Sequence, residues 1–242
     1  MPFTFSHTLY AAPLKWIKPK WFSLTGLVVG SMSPDFEYFI ALEPYQSIGH
    51  TIQGLFFQAI PLSIIVSILF HKIIKKPLIM NLPFSFHFPI LQTDRLWKQG
   101  SVAQWVVFLC SVIIGFFTHL FVDSFTHVGG FFVMHSQILR TSMLGLPVYK
   151  WLQYSLSLFG LLFPVAWLMW KRWILLDVRQ FRGLRTTNRK IIQYWFLVLL
   201  VSVVTLLLKL LLGYHGNLIG VLVVAPITGG LIGILAASVV YR

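Results

Sequence analysis

Residues 102–130 read VAQWVVFLCSVIIGFFTHLFVDSFTHVGG. At 1.5 Å per helical residue, the apolar run 102–126 is long enough to cross a hydrocarbon core of roughly 30 Å. Its last turns are unlike the rest. His119, Asp123 and His127 stand at i, i+4 and i+8, positions that climb one face of a helix. All three side chains bind metal ions, and Thr118 and Thr126 precede the two histidines identically. Gly129-Gly130 is predicted to end the helix just beyond them.

The rest of the chain agrees with a membrane setting. Of 242 residues, 57% are hydrophobic and 10% charged, with a mean hydropathy of +0.80. A soluble domain carries about 25% charged residues, so an all-α, multi-pass transmembrane bundle is expected, folded as one domain over 1–242. The net charge of +13 does not point to nucleic acid, because the basic residues sit in short segments between oily runs. There they set topology and meet anionic lipid head groups. The single cysteine, Cys110, excludes an internal disulfide and any CxxC metal site. No removable signal peptide is expected, since the start lacks a basic n-region.

About five spans follow, near 51–70, 102–126, 151–170, 191–213 and 218–240. Residues 1–50 form an interfacial or re-entrant region. Lys15, Lys18 and Lys20 lie among Trp16 and Trp21, and 21–32 is too short to span. Ser33-Pro34 reads as a helix start, with Ser33 as N-cap, and Glu43-Pro44 as the end of that helix. Pro61 is expected to kink the first span, 71–77 to be a basic loop, 78–91 a re-entrant segment, and 131–150 an aromatic loop. The spacing Gly229-x3-Gly233-x3-Ala237 suggests close helix packing.

Between 171 and 190 stand Lys171, Arg172, Arg179, Arg182, Arg185, Arg189 and Lys190 against one acid, Asp177. The positive-inside rule makes this segment cytoplasmic. Counting back places His127 and His50 at the outer face and 71–77 inside; the C-terminus falls in the cytoplasm. The expected location is the plasma membrane.

Only six acidic residues exist in the chain. Asp35 and Asp123 lie in apolar surroundings, where an unpaired carboxylate costs several kcal/mol. The alternative to a metal is an ion pair or hydrogen bond to nearby Lys, Arg or His. His7, Asp35, His50, His119, Asp123 and His127 form a donor set for one or two divalent ions, zinc first, with manganese or iron as further choices. Such ions activate water and polarise phosphoryl or carbonyl oxygens, with Glu37 or Asp35 as the expected catalytic base. Of the other histidines, His71, His87 and His215 read as surface or packing groups, and His135 is the one nearest the motif. No P-loop and no Gly-x-Ser-x-Gly elbow is present.

MPFTFSH at 1–7, GSMSPDFEYF at 30–39, GHT at 49–51 and THLFVDSFTH at 118–127 together resemble an uncharacterised bacterial membrane family, domain of unknown function 4184. That pattern in turn resembles the predicted inner-membrane metal-dependent hydrolases and, more distantly, zinc-dependent phospholipase C. The resemblance implies that His119 and Asp123 are the helical ligand pair and that His7, Asp35, His50 and His127 are counterparts of the others. The phospholipases also use a free mature N-terminus and a late His-x3-Glu. Here Leu139 stands four places after His135, so a three-ion set is not implied. A metal-dependent hydrolase acting at the outer face on a phosphoester or lipid-borne substrate is the leading expectation. The alternatives are a metal-binding or transport protein without chemistry and a structural membrane protein.

Overall fold

The computed structural model of the chain describes residues 4–82, 100–174, 187–215 and 217–241, and the backbone only for 168–174. The chain is built of helices: α1 His7–Ala11, α2 Leu14–Ile17, α3 Leu24–Met32, α4 Phe36–Ala41, α5 Ile52–Asn81, α6 Val102–Thr126, α7 Phe131–His135 and α8 Gln137–Arg140. A small hairpin, β1 Ser142–Met143 with β2 Leu146–Pro147, precedes α9 Val148–Ile174, α10 Asn188–Leu212 and α11 Leu218–Val240. Four stretches among the described residues are long and apolar enough to cross a membrane: Ile52–Asn81, Val102–His135, Asn188–Leu212 and Leu218–Val240. The fifth expected span, 151–170, falls inside α9, a 27-residue helix that opens with Tyr149, Lys150 and Gln153.

The described residues cluster into two compact units, each assembled from separated stretches of chain. In the first (within 1–34, 48–63 and 98–167) α6 is the axis. Helix α3 lies against it through glycines. A Cβ on Gly26 would come within 2.7 Å of the Phe108 carbonyl oxygen, one on Gly30 would strike the Val112 backbone, and one on Gly115 would reach 2.5 Å from the Leu27 carbonyl oxygen. In sequence, 21–32, about 18 Å as a helix, reads only as too short to span, so the Gly26-x3-Gly30 pair within it goes unread. Leu55, Ala59 and Phe116 make the apolar core beside it, with Ile60, Ile113 and Leu120 packed around them.

In the second unit (within 35–47, 64–97 and 168–242) α10 and α11 form a hairpin. The small-residue stripe is its seam, as expected. A Cβ on Gly229 would come 2.7 Å from the Ser202 Cα and one on Gly233 2.8 Å from the Val198 Cα, while Ala237 is buried with Tyr194 and Val198. Tyr194 OH reaches Ser238 Oγ at 2.9 Å, and Trp195 Nε1 donates to the Asn81 carbonyl at 2.8 Å. Lys209, inside an otherwise apolar helix, pairs with buried Glu43 at 3.2 Å, whose other oxygen accepts the His215 N–H. That pair was not anticipated.

Several local expectations are corrected. Ser33 is not an N-cap. It sits in a 3-10 turn with helical dihedrals, and its hydroxyl donates back to Gly30 O at 2.7 Å. Ser23 is the N-cap upstream, accepting from Gly26 N. Helix α4 ends at Leu42, in the left-handed region at φ 59°, before Glu43-Pro44 is reached. The basic stretch 71–77 is not a loop: α5 runs on through it to Asn81. It does so with wide π turns at Leu55–Ala59 and Phe70–Ile74, the first immediately ahead of Pro61, whose ring excludes a regular i−4 bond. Residues 131–150 are two short helices and a hairpin. Its turn pairs Leu144 at φ 52° with Gly145 at φ 82°, the mirror-image geometry that suits strand twist but whose leucine hides it from turn rules. The expected re-entrant segment past residue 82, His87, and the basic side chains of 171–186 lie outside the described residues.

Overfilling the α10–α11 seam will cost stability. Gly233→Leu is expected to lower unfolding free energy by about 1–3 kcal/mol, the usual range for overpacking. Gly230→Ala, where an added Cβ meets nothing within 4 Å, is expected to be neutral. Thermal unfolding of both variants in detergent checks this.

Candidate metal centre

The first unit brings five of the expected residues together around one carboxylate. Asp123 is mostly buried near the C-terminal end of α6, and His119 lies fully buried one turn earlier on the same face. His119 Nε2 stands 3.2 Å from Asp123 Oδ2. His127 does not continue the helical face. The helix stops at Thr126, and His127 caps it in extended conformation, φ −114° and ψ 146°, so its ring folds back with Nδ1 3.4 Å from Asp123 Oδ1. Gly129-Gly130 therefore shapes the following turn. A Cβ on Gly130 would meet the Ser124 and Asp123 carbonyl oxygens, at 2.5 and 2.8 Å.

His7 opens α1 after a 3-10 turn at Thr4–Ser6. Helix α9 backs it. Gly160 leaves room for Ser6, where a Cβ would approach to 2.5 Å, and Tyr10 OH donates to the Leu156 carbonyl at 2.8 Å. His7 Nε2 then reaches 3.4 Å from Asp123 Oδ1. His50 sits in the turn that starts α5. Thr51 caps that helix by accepting from Gly54 N at 3.0 Å, and Gly54 has no side chain because the Ile48 carbonyl occupies its place. His50 Nε2 stands 3.5 Å from Asp123 Oδ2.

Two imidazoles thus face each carboxylate oxygen: His7 and His127 at Oδ1, His50 and His119 at Oδ2. The four separations, 3.2–3.5 Å, lie at or beyond the long end of N–H···O hydrogen bonds. They match the spacing of ligand atoms about a tetrahedral ion, about 3.3–3.4 Å for bonds of about 2.0–2.1 Å. One ligand atom each from His7, His119 and Asp123 lie within 4.8 Å of one another.

Hydrogen bonding supports the same fit. The Ser31 carbonyl is 2.7 Å from His119 Nδ1. A carbonyl only accepts, so Nδ1 carries a proton; in the neutral ring the Nε2 lone pair then faces Asp123, and in the protonated ring an N–H does. In the neutral ring these are two acceptors 3.2 Å apart, which repel unless a cation stands between them. Among the described residues, neither ring nitrogen of His7 nor Oδ1 of Asp123 has a hydrogen-bond partner. Burial drives the His7 imidazole well below its ordinary pKa against the pull of Asp123, and the His119 ring stacks on it at 3.8 Å. A neutral His7 is the form that ligates metal. His127 is 33% exposed, the most open of the set, so the centre faces outward on that side.

Asp35 and Glu37, the expected bases, belong to the second unit. Asp35 is buried at the end of its 3-10 turn, and Glu37 Oε2 accepts the Ser47 N–H at 2.7 Å. His135 is exposed, its Nδ1 donating to Phe131 O within its own helix. The sequence reading missed the Ser31 carbonyl. A backbone acceptor leaves no side-chain signature, and the glycine spacing was its only trace.

The profile of the family described as "Domain of unknown function (DUF4184)" matches residues 1–239. No curated protein matches the chain, and no solved structure does.

A cation held at this centre would tie folding to metal. Zinc at 100 times its Kd is expected to stabilise the wild type by about 2.7 kcal/mol. Asp123→Ala is expected to abolish that response. Thermal unfolding with zinc and with chelator measures both.

Proposed function

The chain belongs to the DUF4184 family, and we propose that it is a membrane-embedded metal-dependent hydrolase. The observation that carries this reading is the single carboxylate, Asp123, ringed by four imidazole nitrogens at ligand-to-ligand distances. His7 and His127 on one oxygen, with His50 and His119 on the other, are the residues that would hold one or two divalent ions. A donor set of imidazole nitrogen and carboxylate oxygen suits zinc. When bound, such an ion lowers the pKa of a coordinated water and polarises a phosphoryl or carbonyl oxygen.

The protein residues have separate tasks. Asp123 supplies the negative charge that favours a cation over a neutral guest. His7 and His119 close the buried side and exclude water, while His127 borders the open side where a substrate arrives. Acid–base roles for Asp35 and Glu37 are supported by their place in the motif GSMSPDFEYF alone. The substrate class is a phosphoester or another group borne on lipid, supported by the membrane-spanning character of the helix that carries the centre. The basic residues of 171–190 favour a cytoplasmic position for that segment. With α9 counted as a fifth crossing, the centre then lies at the outer face.

The test is metal content together with turnover. Wild type and a His119→Ala/Asp123→Ala double variant are purified without a His tag, analysed by elemental mass spectrometry, and assayed against phosphoester and lipid substrates. Near-stoichiometric zinc, manganese or iron with hydrolysis is expected in the wild type, and neither in the folded variant. Metal without any hydrolysis would favour a binding or transport role. No metal in either protein, even after supplementation, would leave a polar cluster that serves helix packing.

A further inference from the structure

We propose that Gly30 and Gly115 are positioning residues of the metal centre: their missing side chains let the Ser31 carbonyl reach His119 and decide which of its nitrogens carries the proton when the ring is neutral. The proposal rests on the metal reading above for its ligand, though the proton position on His119 can be measured without it.

The two helices run alongside each other in the same direction. Gly26 meets Phe108 and Ser111, Gly30 meets Val112, Gly115 meets Leu27 and Ser31, and His119 meets Ser31. At Gly30 and Gly115 the opposing atoms are backbone: the carbonyl oxygen and Cα of Val112, and the Leu27 O and Ser31 N. Backbone cannot rotate aside as a long side chain can. A methyl group at either place forces the helices apart there. The His119 Nδ1–Ser31 O bond, 2.7 Å long and fully buried, has little slack for such a shift.

The bond matters because a neutral imidazole has one proton. With Nδ1–H given to Ser31, Nε2 presents a lone pair at 3.2 Å from Asp123 Oδ2, and the pair can share a cation. Without that acceptor, the proton is better placed on Nε2, where it makes an ordinary hydrogen bond to Asp123. His119 then ceases to be a ligand on that side. The Ser31 carbonyl is the partner on the far ring nitrogen that metal-binding histidines ordinarily have. Gly26 provides the internal control. A Cβ there would also clash, at 2.7 Å to Phe108 O and 2.8 Å to Ser111 Cβ, though less closely than at Gly30 or Gly115, and it lies more than one turn from Ser31.

The experiment uses the full chain in detergent: wild type, Gly26→Ala, Gly30→Ala and Gly115→Ala. Nitrogen-15 histidine spectra of the metal-free protein, taken where imidazoles are neutral, report the His119 tautomer, with His119→Gln identifying the signal. Zinc affinity is measured by chelator competition. The wild type is expected to show the Nδ1–H form. Gly30→Ala and Gly115→Ala are expected to lose it and to bind zinc about 10–100-fold more weakly, the usual effect of removing such a partner. Gly26→Ala is expected to lower the melting temperature while keeping both the tautomer and the affinity. An Nε2–H tautomer in the wild type overturns the proposal even if no glycine variant folds. Equal loss of zinc affinity in Gly26→Ala overturns it too, by showing a general packing effect. A wild type with the Nδ1–H form but no zinc binding overturns the hydrolase reading, while loss of that form in Gly30→Ala still supports the positioning contact.

Discussion

A carboxylate placed near the end of a long apolar helix needs a counter-charge, and the first unit is arranged around supplying one to Asp123. Lipid offers nothing to a bare anion, and a loop acid could simply turn to water. Here four imidazoles converge from three parts of the chain. Each arrives by a separate local device: a 3-10 turn backed by Gly160, a threonine-capped turn tightened at Gly54, one helical turn, and a helix cap folded backward. Each device also gives the acid a polar partner. A phenylalanine in place of any of the histidines would fill the space and leave the acid unanswered.

The second unit answers the same problem by cheaper means. Lys209 is a cation within an apolar helix, and Glu43 reaches it from a short loop while also accepting a backbone N–H. One acid and one base neutralise each other, and nothing is left over for a guest. The contrast is instructive. Asp123 has more histidine partners than a single proton could satisfy, and His7 beside it is held neutral by burial. Four imidazoles about one carboxylate leave donors to spare, whereas one-to-one pairing describes a structural lock.

Four of the five expected spans and the pairing of His119 with Asp123 were legible because both are local patterns. Hydropathy marks a crossing helix residue by residue, and His119 with Asp123 obeys the helical repeat. His7 and His50 stood out as polar residues in oily surroundings. What escaped was whatever depends on the backbone or on distant partners. His127 satisfies the i+8 spacing yet lies off the helix, since a motif cannot tell a last turn from a cap. Helix α3 was judged by whether it could span, so its Gly26-x3-Gly30 surface went unread, although the same kind of stripe at 229–237 was noticed in a longer helix. The π turns of α5 are register changes invisible to composition. The bond between Glu43 and Lys209 joins residues far apart in the chain, and no window of sequence contains both.

The order of the ligands along the chain has a bearing on biogenesis. His7 and Asp123 are separated by more than a hundred residues, and the last member, His127, emerges only when half the polypeptide has been made. Until then the early histidines have no anion to gather round, and the first crossing helix must enter the bilayer without them in place. Because translation delivers residues at about 5–20 per second, the newborn chain waits several seconds or longer between its first and last donors. Assembly of the cluster is therefore a late event, following insertion of the second crossing helix. It can seal a correctly inserted N-terminal half but cannot guide the insertion itself.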